Sequence, residues 1–370
     1  MRSHFQALLN AALRLPVELR ERLRWRRGAA SGGAKIFYGF DRLPAPHELG
    51  HGGIIKVQDL QRRFPNTPRA ANLLYLISSY QPLFAPRLVT LARRAGARFV
   101  LNQNGVAYPG WYGPDWERSN ATMRELLRQA DHVVYQSRFC QQTADRYLGP
   151  AACPSEILLN PVDTTVFTPA KCDPAPGRFV ILLAGSHGTF SRAQVAVDAL
   201  AELLPRLPEA RLVIAGRCAW RDDFAAAQSE LRAYAEKRGV GAALELRGPY
   251  PQTAAVALLQ SAHVLLHTKY NDPCPRLVVE ALACGLPIVY SATGGVPELV
   301  GEGAGSGVSG PLDYEQEHPP CPAALAAALR QVAGRRAEFA AAARARAVTA
   351  LDVQPWLQRH AEIFQGLLTP

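Results

Sequence analysis

The sequence predicts an α/β fold of two domains, each a doubly wound parallel sheet. Two observations carry that prediction. From about residue 34, short apolar runs alternate with longer amphipathic stretches, the rhythm of parallel strands linked by helical crossovers. The rhythm breaks once, over NPVDTTVFTPAKCDPAPG (160–177), which has four prolines and little periodicity, and then restarts. A length of 370 residues suits two domains, and 48% hydrophobic against 19% charged residues excludes a disordered chain.

KIFYGF (35–40) reads as the first strand, and the Gly-rich turn GHGG (50–53) leads into a helix at IIKVQDLQRRF. NLLYLISS (72–79) is the second strand, with LVTLARRAG in the helix after it. RFVLNQNG (98–105) is a third strand with its loop. VAYPGWYGPDWERSN then makes a long aromatic loop, 120–130 a helix and DHVVYQS a strand. After the Pro-rich linker, FVILLAG (179–185), a helix over 192–204, ARLVIAG (210–216), ALELRG, a helix to Gln260 and HVLLHT continue the alternation. From Pro322 the chain is rich in Ala and Arg at helical spacing, and PWLQRHAEIFQGLL is a last helix with one apolar face.

The first 27 residues hold seven arginines against Glu18 and Glu21, half of the net charge of +10. Phe5, Leu8, Leu9, Ala12 and Leu13 recur there at helical spacing, ahead of Arg20, Arg22, Arg24, Arg26 and Arg27. Such a basic amphipathic extension, over residues 1–30, suits contact with an anionic membrane surface. The alternative is a segment packed on its own domain or left without fixed structure. It lacks the compact apolar region and small-residue cleavage site of a signal peptide. No apolar run approaches the ~20 residues of a membrane-spanning helix. Seven scattered cysteines without a C-x-x-C pair argue against a disulfide framework and a zinc site, and fit a reducing cytoplasm. The rest of the chain is mildly basic with no basic-aromatic stripe, which excludes nucleic acid as a partner.

The strongest chemical signal is HTKYNDPCPRLVVEALACGLPIVYSATGGVPELVG (267–301). HVLLHT ends a strand, and a loop with Asp272, Pro273 and Pro275 follows. A helix begins near Leu277 and stops before Gly285, and IVYS is the next strand. SATGG is a loop of small residues, and Pro297-Glu298 starts another helix. Two helix N-termini therefore leave the carboxyl ends of neighbouring parallel strands, the edge where open α/β sheets bind ligands. Their unpaired N–H groups and dipoles attract phosphate. Gly294 and Gly295 allow close approach of backbone to ligand. Asp272 in the loop and Glu280 on the first turn of the helix suit paired hydroxyls, as on a ribose or hexose. Taken singly, Glu280 reads equally well as a helix-start residue, and Asp272 reads more readily as a turn or cap residue.

This stretch resembles the donor-binding signature of family 4 glycosyltransferases, which share the GT-B fold of two Rossmann-like domains facing a central cleft. The family pattern is a Glu, seven residues, a Glu, a small-residue helix ending in G-x-P, and then G-G-x-x-E. Here it is Asp272, seven residues, Glu280, ALACGLP, and Gly294-Gly295-Val296-Pro297-Glu298. The resemblance implies that Glu280 holds the ribose of a UDP- or GDP-type sugar and that the Asp272 loop, with Cys274, Pro275, Arg276 and Leu277, faces the transferred hexose. LRGPYPQTAAVALLQSAHVLLHT resembles the segment lining the base pocket, with Arg247 and Gly248 at its start. Gly52 and Gly53 resemble the N-domain loop that touches the donor phosphates. ADHVVYQSRFCQQTADRYLG and ILLNPVDTTVFTP resemble the last unit of the N-terminal domain and its linker. The resemblance places an acceptor-side domain at 31–170, a donor-binding domain at 171–354 and a crossing helix at 355–370.

Two departures affect the chemistry. In AGSHGTFSRAQ, which opens with the donor-loop Gly185, Arg192 stands for the family's phosphate-binding Lys, and Ser186 for its Arg; His187 is a candidate substitute donor. Asn104 stands where the family often has a His, and an amide orients a hydroxyl but cannot act as a base. His51 is a second candidate to face the cleft. In the aromatic loop, Asp115 and Glu117 are candidates to bond acceptor hydroxyls, with Trp and Tyr faces against sugar rings. The resemblance implies retaining transfer to a glycan, glycolipid or small-molecule acceptor. There is no Asp-x-Asp metal motif, so no metal and no cofactor are expected. The setting expected is cytoplasmic, peripheral to the inner face of a membrane. A dehydrogenase fails for want of G-x-G-x-x-G and a P-loop enzyme for want of G-x-x-x-x-G-K-[ST]. The remaining alternatives are a non-catalytic GT-B scaffold and a nucleotide-sugar epimerase.

Overall fold

The computed structural model describes residues 15–26, 28–45, 48 and 52–369. Residues 15–45, 52–158 and 355–369 form one unit, and 159–354 a second. Each holds one parallel sheet. Phe5, Leu8, Leu9, Ala12, Leu13, Arg27 and His51 lie outside the described residues.

The first unit opens with α1 over 15–24. Its strands are β1 (Ile36–Phe37), β2 (Leu73–Ile77), β3 (Arg98–Gln103), β4 (His132–Tyr135) and β5 (Ser155–Ile157), paired in chain order. Its helices are α2 (Gly52–Gln61), α3 (Ala85–Arg94), α4 (Pro109–Tyr112), α5 (Trp116–Gln129) and α6 (Arg138–Tyr147). LLYLI of β2 is buried throughout, which is why it reads as an unbroken apolar run. β1 is shorter than KIFYGF suggested. Gly39 turns the chain at φ +88°, and Tyr38 N–H bonds the Asn66 side chain in place of a neighbouring strand. The expected aromatic loop is largely helical. Pro109 starts α4, a turn of 3-10 helix (Gly113–Asp115) follows, and Trp116 opens α5. Trp116 packs edge-on to Tyr147 at 5.2 Å, so part of the aromatic surface serves the unit itself, while Trp111 and Tyr112 remain about half exposed.

The second unit contains β6 (Phe179–His187), α7 (Phe190–Leu203), β7 (Ala210–Cys218), α8 (Phe224–Lys237), β8 (Leu244–Arg247), α9 (Ala255–Gln260) and β9 (Val264–His267). It continues through α10 (Arg276–Ala283), β10 (Ile288–Ser291), α11 (Val296–Val300), β11 (Gly305–Val308), α12 (Pro322–Gly334) and α13 (Arg336–Ala350). Strands alternate their side chains between two cores. Phe179, Ile181 and Leu183 of β6 pack with α7, α8 and α12, while Val180, Leu182 and Ala184 pack with α9, α10 and α13. The sheet is therefore covered on both faces. α8 and β11 went unread in the sequence. α8 is Ala-rich and starts at Asp223, whose carboxylate accepts from Ala225 and Ala226 N–H at 3.1 Å. β11 is GSGV, with glycine where a Cβ on Gly305 would lie 2.1 Å from the Ile288 carbonyl.

The Pro-rich stretch after β5 is bound rather than free. Val162 exchanges backbone bonds with Leu351 and Val353, and the Arg344 guanidinium donates to the carbonyls of Thr164, Phe167 and Ala283. α14 (Val353–Leu368) begins here and enters the first unit. There Phe364 meets Phe64 edge-on at 5.0 Å, and Arg359 grips Glu156 through two bonds of 2.7 and 3.0 Å. No helix of the described residues is long and apolar enough to cross a membrane.

Candidate functional site

The order of strands in the second sheet is β11-β10-β9-β6-β7-β8. The chain builds outward from β6 through β7 and β8, then returns to lay β9 on the other side of β6. At such a reversal the loops leaving the two adjacent strands diverge and open a crevice at their carboxyl ends. The loop after β6 leads to Arg192 in the first turn of α7, and the loop after β9 holds Asp272. Thr268 Oγ donates to the Arg192 carbonyl at 2.9 Å and ties the two loops together.

Glycines set the floor of this edge. Gly185 of β6 pairs with Gly216 of β7, and a Cβ on Gly216 would lie 1.9 Å from the Gly185 carbonyl oxygen. Gly216 N–H in turn donates to Gly248, just past β8, at 3.1 Å. Arg247 is exposed and paired with Glu245 at 2.6 Å. Gly216 was not singled out in the sequence, because its constraint comes from a strand distant in the chain.

Asp272 is buried beside the cations Lys269 and Arg192 and the imidazole of His267, which burial holds below its ordinary pKa. His267 Nε2 lies 3.1 Å and Lys269 Nζ 3.3 Å from its Oδ2. Burial alone would push the carboxyl up, but Lys269, His267 and Arg192 outweigh it and hold Asp272 well below the usual carboxylate range. Asp272 is thus an ionised carboxylate with one oxygen already engaged. Arg192 is half-buried, and its Nη1 donates to the Ser186 carbonyl at 2.6 Å. Its Nε has no partner among the described residues. Lys269 and His267 are site residues that sequence reasoning passed over. Their signal was local, at three and five residues before Asp272.

His187 does not fit the expected role of substitute phosphate donor. It is fully buried in β6, and its Nε2 bonds the Ala215 carbonyl at 3.1 Å. Burial, then the nearby Arg192, pushes its pKa down to about 4, so at neutral pH it carries no charge. With Nε2–H spent on Ala215, Nδ1 is an acceptor only.

Glu280 is also shifted from expectation. α10 starts at Arg276, so Glu280 is the fifth helical residue and lies one turn in. Arg276 Nε reaches back to Glu280 Oε1 at 2.8 Å, with both side chains 9% exposed. Tyr250 lies close enough for the carboxylate to add to the effect of burial, which together push the phenol up to about 12. Leu277 faces Gly185, and the Cys274 carbonyl is occupied by Asn160 Nδ2 at 2.7 Å, while Pro275 stands at the N-cap position of α10 without a side-chain bond to it. α11 has only five residues, so its dipole is small, and the helix-dipole argument rests on α7 and α10.

The glycine pair serves the protein before any ligand. A Cβ on Gly294, at φ +74°, would lie 2.5 Å from the Asp272 carbonyl oxygen, and Gly295 N–H donates to that same oxygen at 2.9 Å. The close approach anticipated toward a ligand is made to the Asp272 loop itself. Gly294→Ala is therefore expected to cost about 2 kcal/mol or more through left-handed strain and displacement of that loop. A thermal melt of the variant beside wild type measures it, and an unchanged Tm would contradict the packing described.

Asn104, Gly52 and Gly53 belong to the first unit. The glycines are the opening residues of α2, whose first-turn N–H groups lack intrahelical partners. Asn104 follows β3 and is held on both ends of its amide: Nδ2 donates to Ser79 Oγ at 2.6 Å, and Oδ1 accepts from Gln136 and from Lys56 Nζ, the latter at 3.2 Å. Lys56 is a buried lysine one turn into α2, a residue the sequence gave no reason to separate from a solvated helix face. Asn102 bonds Tyr75, which bonds His360 of α14 at 3.0 Å, so the end of β3 sits on a buried polar network. Asp115 and Glu117 lie at the start of α5.

Residues 170–332, within the second unit, match the family model described as glycosyl transferases group 1. The two parallel sheets are those of a GT-B type fold, as in the solved structures below. The chain is 28% identical over 205 residues to the D-inositol 3-phosphate glycosyltransferase of Corynebacterium aurimucosum, covering 51% of this chain and 47% of that protein. It is 28% identical over 265 residues to glycogen synthase of Mycobacterium tuberculosis, covering 70% of this chain and 59% of that one. The chain thus spans about half the length of these curated relatives. Among solved structures, Anabaena Alr3699/HepE in complex with UDP-glucose aligns with a TM-score of 0.65 at 19% identity, over 80% of this chain and 79% of that one. At that identity the likeness is one of fold.

Proposed function

We propose that this protein is a retaining, metal-independent glycosyltransferase of family 4 type. It takes a hexose-type sugar from a UDP- or GDP-type nucleotide sugar and passes it to a glycan, glycolipid or small-molecule acceptor. The observation that carries the reading is the strand-order reversal, with Arg192 in the first turn of the helix that one loop enters, Asp272 on the other loop and Glu280 one turn into the helix that follows it. The named relatives act in sugar transfer, and the HepE complex holds UDP-glucose, which agrees with a nucleotide-sugar donor. Glu280 is the ribose acceptor of hydrogen bonds, and the Asp272 loop faces the hexose.

In this reading the bond from the anomeric carbon to the diphosphate lengthens first. Negative charge gathers on the leaving phosphate, where Arg192 and the N–H groups opening α7 and α10 stabilise it. The acceptor hydroxyl enters on the same face and gives its proton to the leaving phosphate. Asn104 orients a hydroxyl. The protein works in the cytoplasm, with residues 1–27 in peripheral contact with the inner face of the membrane.

Calorimetric titration with a set of UDP- and GDP-sugars, followed by a donor-hydrolysis assay and NMR of the product anomer, tests the proposal. Binding of one donor class and slow hydrolysis with the anomeric configuration kept are expected. Binding without turnover would make the chain a scaffold, an inverted product would remove the retaining mechanism, and no binding of any nucleotide sugar would sink the reading.

A further inference from the structure

We infer that the outward face of α1 docks on an anionic lipid surface, an inference that rests on the membrane contact proposed above and names its residues. Leu15, Leu19 and Leu23 stand four residues apart, so they share one face of the helix. They are 78%, 58% and 59% exposed, an unusual amount of leucine to leave in water on three successive turns.

The opposite face explains why these leucines cannot turn inward. Trp25 and Glu21 are buried there. Glu21 accepts from Arg24 Nε at 2.8 Å and Arg20 Nε at 3.1 Å, and Glu18 accepts from Arg87 of α3 and from Arg22, each at 2.7 Å. Arg24 also lies over the Phe37 ring at 4.3 Å. The helix is thus held to the first unit by Glu18 through Arg87, by Arg24 through Asp41 and Phe37, and by the buried Trp25 just past its end, while its leucines stay largely in water.

This arrangement sorts charge as well. Both carboxylates of α1 are used on the inner face, with side chains 18% and 4% exposed. The outer face is left with leucines flanked by Arg20, Arg22 and Arg26, all exposed. The exposed carboxylate beside them is Asp41, which Arg24 binds at 2.6 Å and Arg20 approaches at 3.8 Å. Leu83, 54% exposed, lines with Val17 and Glu18 a hollow of about 680 Å³ beside the helix and adds to the apolar area. Apolar side chains with a cationic rim, and with both helix carboxylates turned inward, match lipid headgroups that are anionic above an acyl layer. A second copy of this face is a poorer occupant, because stacking two of them sets arginine rims against each other.

Co-sedimentation with phosphatidylcholine vesicles, with and without phosphatidylglycerol, tests the inference on the full chain. Wild type should bind the anionic vesicles, more weakly as salt rises, and the neutral ones little. Leu15→Glu with Leu19→Glu and Leu23→Glu should lower partitioning on the order of 100-fold with an unchanged Tm, since the three leucines are exposed. Arg20→Ser with Arg26→Ser should flatten the salt dependence. If wild type binds but the leucine variant binds equally, another part of residues 1–27 makes the contact and the face assigned here is wrong. If wild type does not bind at all, the membrane contact itself falls. A dimer on gel filtration that the leucine variant dissociates, without vesicle binding, would assign the face to a second copy instead.

Discussion

Arg192→Ala should lower the turnover of the sugar-transfer reaction by about 100- to 1000-fold, the range found when a single preorganised group facing a developing oxyanion is removed. The structure makes this a clean substitution. The Arg192 backbone carbonyl, which accepts from Thr268, is kept by alanine, and the one side-chain bond lost is to the carbonyl of the exposed Ser186, which water can serve. Asp272 would retain Lys269 and His267 as partners, so no buried carboxylate is left alone. His187 cannot compensate, being uncharged and already bonded to Ala215. Donor affinity should change less than turnover, because charge on the leaving phosphate grows as the bond breaks. Arg192→Lys should recover part of the rate, keeping the charge but not the planar fork. Single-turnover rates at saturating donor separate these effects. A loss confined to acceptor binding would remove Arg192 from the phosphate.

The difference between Arg192 and His187 shows what the sequence could and could not tell. In the sequence both belong to the stretch AGSHGTFSRAQ, and both are basic residues on paper. Only the structure places His187 within the sheet, where burial strips it of charge, and Arg192 on the first turn of α7, where its Nε has no partner among the described residues. The alternation of strands and helices was legible because parallel strands buried on two faces must be apolar along their length, as in FVILLAG. β11 was not, since glycines in GSGV are there to admit a neighbouring backbone and carry no apolar signal. The spacing of Asp272 and Glu280 was legible because both lie on one loop and the helix it enters. The ion pair between Arg276 and Glu280 follows from where α10 starts, and helix starts are poorly fixed by sequence when a Pro-rich loop precedes them. Lys56 and Asn104, 48 residues apart, meet only through the pairing of β1, β2 and β3.

Glu280→Ala is the second substitution with a large expected effect, and the structure changes how it must be read. Loss of a charged hydrogen-bonding partner to the ribose should weaken donor binding by about 2 kcal/mol or more, roughly 30-fold. Yet the same carboxylate neutralises Arg276, and both side chains are 9% exposed. Removing one member of a buried pair takes a carboxylate from a largely buried guanidinium and commonly costs about 3 kcal/mol in stability. The alanine variant should therefore lose both affinity and several degrees of Tm, and affinity alone would not show that Glu280 touches the donor. Glu280→Gln keeps the shape and an acceptor for Arg276, so it should melt closer to wild type while binding donor about 10-fold more weakly. The decisive comparison uses donors lacking one ribose hydroxyl. If Glu280 binds that hydroxyl, wild type should discriminate against the deoxy donor and Glu280→Gln should not, the two losses failing to add. Additive losses by calorimetry would mean that Glu280 acts only through Arg276 and the start of α10, and that the ribose is held elsewhere.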